Sequence, residues 1–376
     1  MFETNDRSLK WSSSREPIIV LLISGLTVIF FLAVAGLAKV YHHQQESIGD
    51  EFYARGAAYL KDGKLQNAVT EFRTALLYAR DNLSYQLSLA QTLAAQHRTD
   101  EAYAYLLNLW QREPDNGTVN LELARILAAK GETNDAIRYY HNAVYAVWSN
   151  AREEQRRAVR LELVAFLLRA NLKPQAQSEL IALAANLPDD PALHAQVAGL
   201  FEQAEDYEHA LAEYRQSLRQ HREDADAMAG AGRAAFELGR YEQAQRYLQA
   251  AVTMNASETD SRALLETVTL TLQMDPFRRQ LSSSRRNRIV IDAFQTAGLR
   301  LQACGGSAGP RPDDLESRWT QMKPKINIRG LHKDPDLTDA AMDLAFLIEQ
   351  RSSEKCGAPT GKDLALLLIS RLREGS

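Results

Sequence analysis

Small residues recur along this chain at a fixed interval. Ala68, Ala102 and Ala136 are 34 residues apart, as are Ala176, Ala210 and Ala244, with one step of 40 between the two groups. A second series, Gly56, Ala90, Ala124, Val164, Ala198 and Gly232, runs twelve residues ahead of the first. Larger side chains keep the same phase: Phe72, Leu106, Tyr140, Leu180, Tyr214 and Leu248 follow each alanine by four residues. Ala75, Leu109, Ala143, Leu183, Ser217 and Ala251 follow by seven. Offsets of four and seven fall on one face of a helix, so each unit has a helix with one buried stripe. A unit this short cannot cover that stripe alone. It must stack on its neighbours, which makes the chain all-α and solenoidal.

Period and residue sizes together resemble the tetratricopeptide repeat family over residues 49–258, as six units: 49–82, 83–116, 117–150, 157–190, 191–224 and 225–258. The resemblance implies two antiparallel helices per unit, in close contact at the small positions. Gly63, Gly131 and Gly239 fall at the turns between the two helices, and Pro114 and Pro188 fall where second helices end. His97, Asn171 and Glu205 stand where the other units have the turn glycine, and Val164 replaces a small residue, which predicts looser packing in the fourth pair. The six extra residues, Ala151 to Arg156, predict a lengthened helix. In the family the first helix of each pair lines a concave groove for peptides or partner helices. Carried over by position, that lining is Tyr53, Lys61, Leu87, Gln91, Leu121, Arg125, Leu161, Arg169, Glu202, Gln203, Arg233 and Phe236. Members that grip chaperone tails use Lys and Asn clamps; Tyr53 and Ala57 stand at those first-unit positions here, against that specialisation.

Residues 17–38 carry no charge, and fourteen of them are Leu, Ile, Val or Phe. At about 1.5 Å per residue a helix of that length reaches roughly 33 Å, enough for the hydrocarbon core. A cleaved signal peptide is the competing reading, since Ala33-Val34-Ala35 resembles a small-residue cleavage site, but the apolar run exceeds a signal core. Arg7, Lys10 and Arg15 precede the span, against Lys39 and Arg55 soon after it, which predicts a cytoplasmic tail at 1–16 and repeats facing the periplasm or exterior.

After the repeats, 259–275 reads as a capping helix, broken by Asp275-Pro276, and 276–376 as a small helical domain. Val290, Phe294, Ala297, Leu301 and Cys304 share one helical face. Cys304 and Cys356 are the only cysteines, and in an exported chain they predict a disulfide rather than a metal site. Arg278, Arg279, Arg285, Arg286 and Arg288 form a basic cluster, read as a solvated linker. The net charge of −4 gives no general support for a nucleic-acid partner. Thr360-Gly361-Lys362 lacks the glycine loop of a phosphate site, and the eight histidines show no ligand spacing.

These observations predict a non-enzymatic, membrane-tethered scaffold for protein partners, needing no cofactor or metal and serving assembly of an envelope or secretion machine. The alternatives are an ancillary chaperone for exported proteins near the translocon, and an enzyme with its active site in 276–376.

Overall fold

The structure, a computed structural model, describes residues 16–148, 152–255, 257–305 and 315–374, with side chains from residue 20 onward. The expected cytoplasmic tail lies outside these residues except for Glu16, the first residue of the first helix, and Ala151 lies outside them too. Every regular element among them is helical. The chain divides into two compact units, residues 1–160 and 161–376.

In the first unit, α1 (Glu16–Lys61) is one helix of 46 residues. Every residue from 20 to 44 is exposed. The large apolar side chains from Val20 to Leu37 are all at least 48% exposed. Soluble proteins do not leave so long an apolar cylinder bare. By length and composition this helix is able to cross a membrane. Thr27 donates its hydroxyl to the Ile23 and Ser24 carbonyls at 3.1 and 2.8 Å, so that side chain needs no outside partner. The same helix then continues without a break into the first repeat, where Gly49 and Gly56 meet Tyr85 and Phe72.

α2 (Leu65–Tyr78), α3 (Leu83–Ala95), α4 (Thr99–Arg112), α5 (Gly117–Lys130) and α6 (Thr133–Tyr145) complete three pairs with α1. α7 (Arg152–Arg169) carries the division between units and is longer than the other first helices of a pair from α3 onward, its extra turn filling the 40-residue step. In the second unit come α8 (Lys173–Ala184), α9 (Pro191–Gln203), α10 (Tyr207–Gln220), α11 (Ala225–Glu237), α12 (Tyr241–Met254) and α13 (Thr259–Met274). Side-chain oxygens of Asn82, Asn116, Asp190 and Asp224 cap α3, α5, α9 and α11.

The six alanines of the first series are all 0% exposed. Ala90, Ala124, Val164 and Ala198 are equally enclosed, so the β-branched side chain at 164 is taken into the core rather than pushed out. At Gly56 and Gly232 an added Cβ would lie 2.7 Å from Phe72 and 2.6 Å from Leu248, which is why no side chain is found there.

All six turns inside the pairs share one conformation. Gly63, Gly131 and Gly239 have φ of 74°, 77° and 69°, and His97, Asn171 and Glu205 have φ of 59°, 56° and 61°. Each turn is closed by the same long-range bond, from Lys64, Arg98, Glu132, Leu172, Asp206 and Arg240 N–H to the carbonyl five residues back, at 2.8–2.9 Å. This is the Schellman closure of a helix end. The three substituted turns keep the geometry and carry a left-handed non-glycine residue, at a cost of about 1 kcal/mol each.

The C-terminal helices are α14 (Ser283–Gly305), α15 (Leu315–Met322), a 3-10 turn (Lys323–Lys325), α16 (Ile328–Lys333), α17 (Asp336–Cys356) and α18 (Gly361–Glu374). The 3-10 turn and α16 had no counterpart in the sequence reading. Met274, Val290, Phe294, Trp319, Leu344 and Ile348 form their core, joined by Leu366 and Ile369 of α18. The opposite edge of α18 enters the repeat core through Leu364, Leu368 and Leu372. α13 is therefore not the outer end of the repeats in this unit, because α18 packs over it.

Candidate partner-binding surface

The twelve predicted groove residues all sit on first helices of pairs, and the two units are taken separately. In the first unit Tyr53 stacks on Tyr85 with ring centres 5.0 Å apart and its hydroxyl lies 3.2 Å from Ser88 Oγ, joining α1 to α3. Gln91 donates to Glu122 at 3.0 Å, joining α3 to α5. Arg125 bonds the same Glu122 carboxylate at 3.1 Å. Leu87 and Leu121 are half-buried, and Lys61 is exposed.

In the second unit Glu202 and Arg233 face each other across α9 and α11. Arg233 donates through Nε and Nη2 at 3.3 and 3.1 Å, and Tyr214 of α10 donates to the same carboxylate at 2.7 Å. Burial, then the Glu202 hydrogen bond, push the Tyr214 phenol well above its ordinary value. Tyr85 is raised likewise, by burial and by its 2.6 Å bond to Asp50. Leu161 and Phe236 are half-buried, while Gln203 and Arg169 stand exposed.

These residues therefore divide by role. Tyr53, Gln91, Arg125, Glu202 and Arg233 brace one first helix to the next or hold the bracing carboxylate. Lys61, Arg169 and Gln203 are the exposed polar groups left over. The bracing was missed in the sequence because pairing was not sought at the repeat spacing. Glu202 and Arg233 are 31 residues apart, as are Gln91 and Glu122. Lys173–Glu205 and Arg240–Glu208 recur at 32.

Two features of the C-terminal helices complete the inventory. Cys304 and Cys356 are joined in the structure, with Cα atoms 5.8 Å apart across 52 residues, a separation suited to a disulfide. One turn before Cys304, Arg300 donates to the Gly357 carbonyl at 2.7 Å and lies 3.8 Å from Asp363. Beside them Glu349 is fully buried, with the Asp363 carboxyl as its hydrogen-bonding neighbour. Burial, then the charge of Asp363, raise it to about 8, and Arg300 opposes this. No group of three or more His, Cys, Asp or Glu is placed to hold a metal among the described residues.

A family model for the tetratricopeptide repeat matches residues 93–147 and 202–268. Among solved structures, YrrB, described as a TPR protein with an unusual peptide-binding site, is 16% identical and covers 51% of this chain and 95% of its own, with a TM-score of 0.40. PilF of Pseudomonas aeruginosa is 16% identical over 58% of this chain and 97% of its own, with a TM-score of 0.40. The C-terminal part of a TPR repeat-containing protein of Cytophaga hutchinsonii is 12% identical over 81% and 100%, with a TM-score of 0.44. No curated protein matches. With every one of these scores below 0.5, the assignment stands on the family match and on the period that the helix pairs reproduce. The chain carries tetratricopeptide repeats, matched by the family model over 93–147 and 202–268, within a run of six helix pairs followed by a C-terminal group of helices.

Proposed function

We propose that this protein is a membrane-tethered scaffold, holding partner proteins of an envelope or secretion machine on the first helices of its repeats. Binding of other proteins is the general role of tetratricopeptide repeats. α1 is the observation that carries the tether. The apolar stretch and the first helix of the first repeat belong to one unbroken helix. From Ala38 to Gly49 that helix advances about 16 Å. A partner bound to the first repeat would thus be held close to the bilayer rather than on a long flexible leash, which raises its local concentration without any chemistry.

The exposed Lys61 and Arg169 are the groups to test, since bracing residues are expected to lose stability when cut. Lys61→Ala and Arg169→Ala should each change stability by no more than about 0.5 kcal/mol. Photocrosslinkers at Leu87, Leu121 and Leu161 in intact cells are expected to trap a small, fixed set of proteins, and both substitutions are expected to weaken the trapping. Trapping of many unfolded exported chains would mean a chaperone instead. Unchanged trapping in both variants would remove the first helices as the binding surface.

The compartment has its own test. With the repeats exported, Cys304 and Cys356 are expected to resist alkylation in the denatured, unreduced protein. The closed loop contributes roughly 4 kcal/mol in the chain-entropy model, so reductant should lower the melting temperature. Two freely alkylated thiols from intact cells would overturn the exported topology and the pairing together.

A further inference from the structure

Charge along this chain is unevenly placed. The whole carries −4, yet residues 276–333 hold twelve Lys and Arg against four Asp and Glu. Besides the arginines of 278–288, this stretch includes a second run, 317–333, with five cations, Arg318, Lys323, Lys325, Arg329 and Lys333, and no carboxylate. It runs through α15 after Glu316, the 3-10 turn and α16, and ends before Asp334.

The segment is fixed in place. Leu315, Trp319, Ile326 and Leu331 are all under 9% exposed in the C-terminal core. Trp319 donates to the Phe294 carbonyl at 3.1 Å. Asn327 caps α16 by accepting from Gly330 N–H at 2.9 Å, and its amide donates to the Pro324 carbonyl at 2.9 Å. Between these anchors all five cations are exposed. None of them forms an ion pair with a described residue; Lys323 lies 4.5 Å above the Trp319 ring instead. Ile328 stands among them with 51% of its surface in water.

A rigid surface with one sign of charge and one protruding aliphatic side chain has the composition of a membrane-interface contact. Cations meet lipid phosphates while the apolar group enters the headgroup boundary. An acidic protein would satisfy the cations but leaves Ile328 unexplained. We propose that the α15–α16 segment is a second membrane contact, binding anionic phospholipid headgroups through Arg318, Lys323, Lys325, Arg329 and Lys333, with Ile328 inserted at the interface. The proposal rests on α1 as the tether, which keeps the C-terminal helices at high local concentration near a bilayer. Each such cation adds to the attraction of an anionic surface, so a tethered chain needs only a few of them.

The test uses the full chain in lipid nanodiscs, either wholly phosphatidylcholine or with a third of the lipid as phosphatidylglycerol. Amide exchange across 323–333 is expected to slow on the order of ten-fold in the anionic discs and to recover in high salt. Lys323→Glu combined with Lys325→Glu and Arg329→Glu should abolish the protection with an unchanged melting temperature, and Ile328→Ser should reduce it. Equal exchange in the two lipids would overturn the proposal. So would protection by added polyglutamate in the neutral discs with none from phosphatidylglycerol, which would make this an acidic-protein surface. Co-elution of chain and disc reports α1 separately. If the chain does not stay with the discs, the tether fails, and adding phosphatidylglycerol vesicles to the same chain still decides the patch.

Discussion

Gly230→Ala is expected to lower the melting temperature by roughly 6 to 20 °C, while Gly199→Ala leaves it unchanged or slightly higher. Both glycines face the Tyr214 hydroxyl. At Gly199 an added Cβ would rest 3.7 Å from that oxygen, an ordinary contact. At Gly230 it would lie 2.2 Å from the ring carbon that bears the hydroxyl and 2.5 Å from the oxygen itself. Tyr214 is 5% exposed, so the ring cannot move into solvent. Overpacking of this kind costs about 1 to 3 kcal/mol. Displacing the ring also breaks the 2.7 Å bond to Glu202, the carboxylate that Arg233 shares, for about 1.5 to 3 kcal/mol more. A total near 3 to 5 kcal/mol converts at about 2 to 4 °C per kcal/mol for a module of this size. The alanine at 199 relieves a helical glycine instead, worth about 0.5 to 1 kcal/mol in the other direction. Thermal melts of the two variants side by side decide it. Equal losses at both positions would mean that the Tyr214 brace does not carry the stability assigned to it.

The pair also illustrates where the sequence could be read and where it could not. The positions at 68, 102, 136, 176, 210 and 244 were legible because close helix contact excludes bulk, and exclusion repeats with the unit. The period also placed turns at His97, Asn171 and Glu205, but not their conformation. His97, Asn171 and Glu205 adopt the same left-handed conformation, because the turn is defined by hydrogen bonds that many residues are able to close at a modest cost. Groove membership was transferred from the family pattern by position. That transfer did not distinguish the bracing pair Glu202 and Arg233 from the unpaired Arg169, since a partner one repeat away is visible only once the units are stacked. α16, with six residues and a single buried side chain, Leu331, offers too little periodicity to be seen. Glu349 was hidden for a different reason. It occupies the buried stripe of α17 with Met342, Ala345 and Ile348, and a charged residue in such a stripe is normally read as facing out.

Glu349 makes the C-terminal helices sensitive to pH in a direction opposite to that of most carboxylates. Its ordinary value is 4.5 and burial, reinforced by Asp363, raises it to about 8. Below pH 4.5 the group is protonated folded and unfolded, and costs nothing. Between the two values the unfolded chain releases a proton that the folded chain keeps, so stability falls as pH rises, and the loss is complete above about pH 8. At about 1.4 kcal/mol per unit the full span corresponds to several kcal/mol, as an upper bound. Glu349→Gln keeps the shape and removes the titration. In urea denaturation at pH 5, 6.5 and 8, the variant is expected to match wild type at pH 5 within about 1 kcal/mol. It is expected to exceed wild type by about 2 to 4 kcal/mol at pH 8. Asp363→Asn removes the second cause and should flatten the slope in part. Arg300→Ala should steepen it, since the opposing cation is lost along with its bond to the Gly357 carbonyl. Parallel pH profiles for wild type and Glu349→Gln would show that the carboxyl reaches solvent, and the buried cluster beside the Cys304–Cys356 link would have to be redrawn.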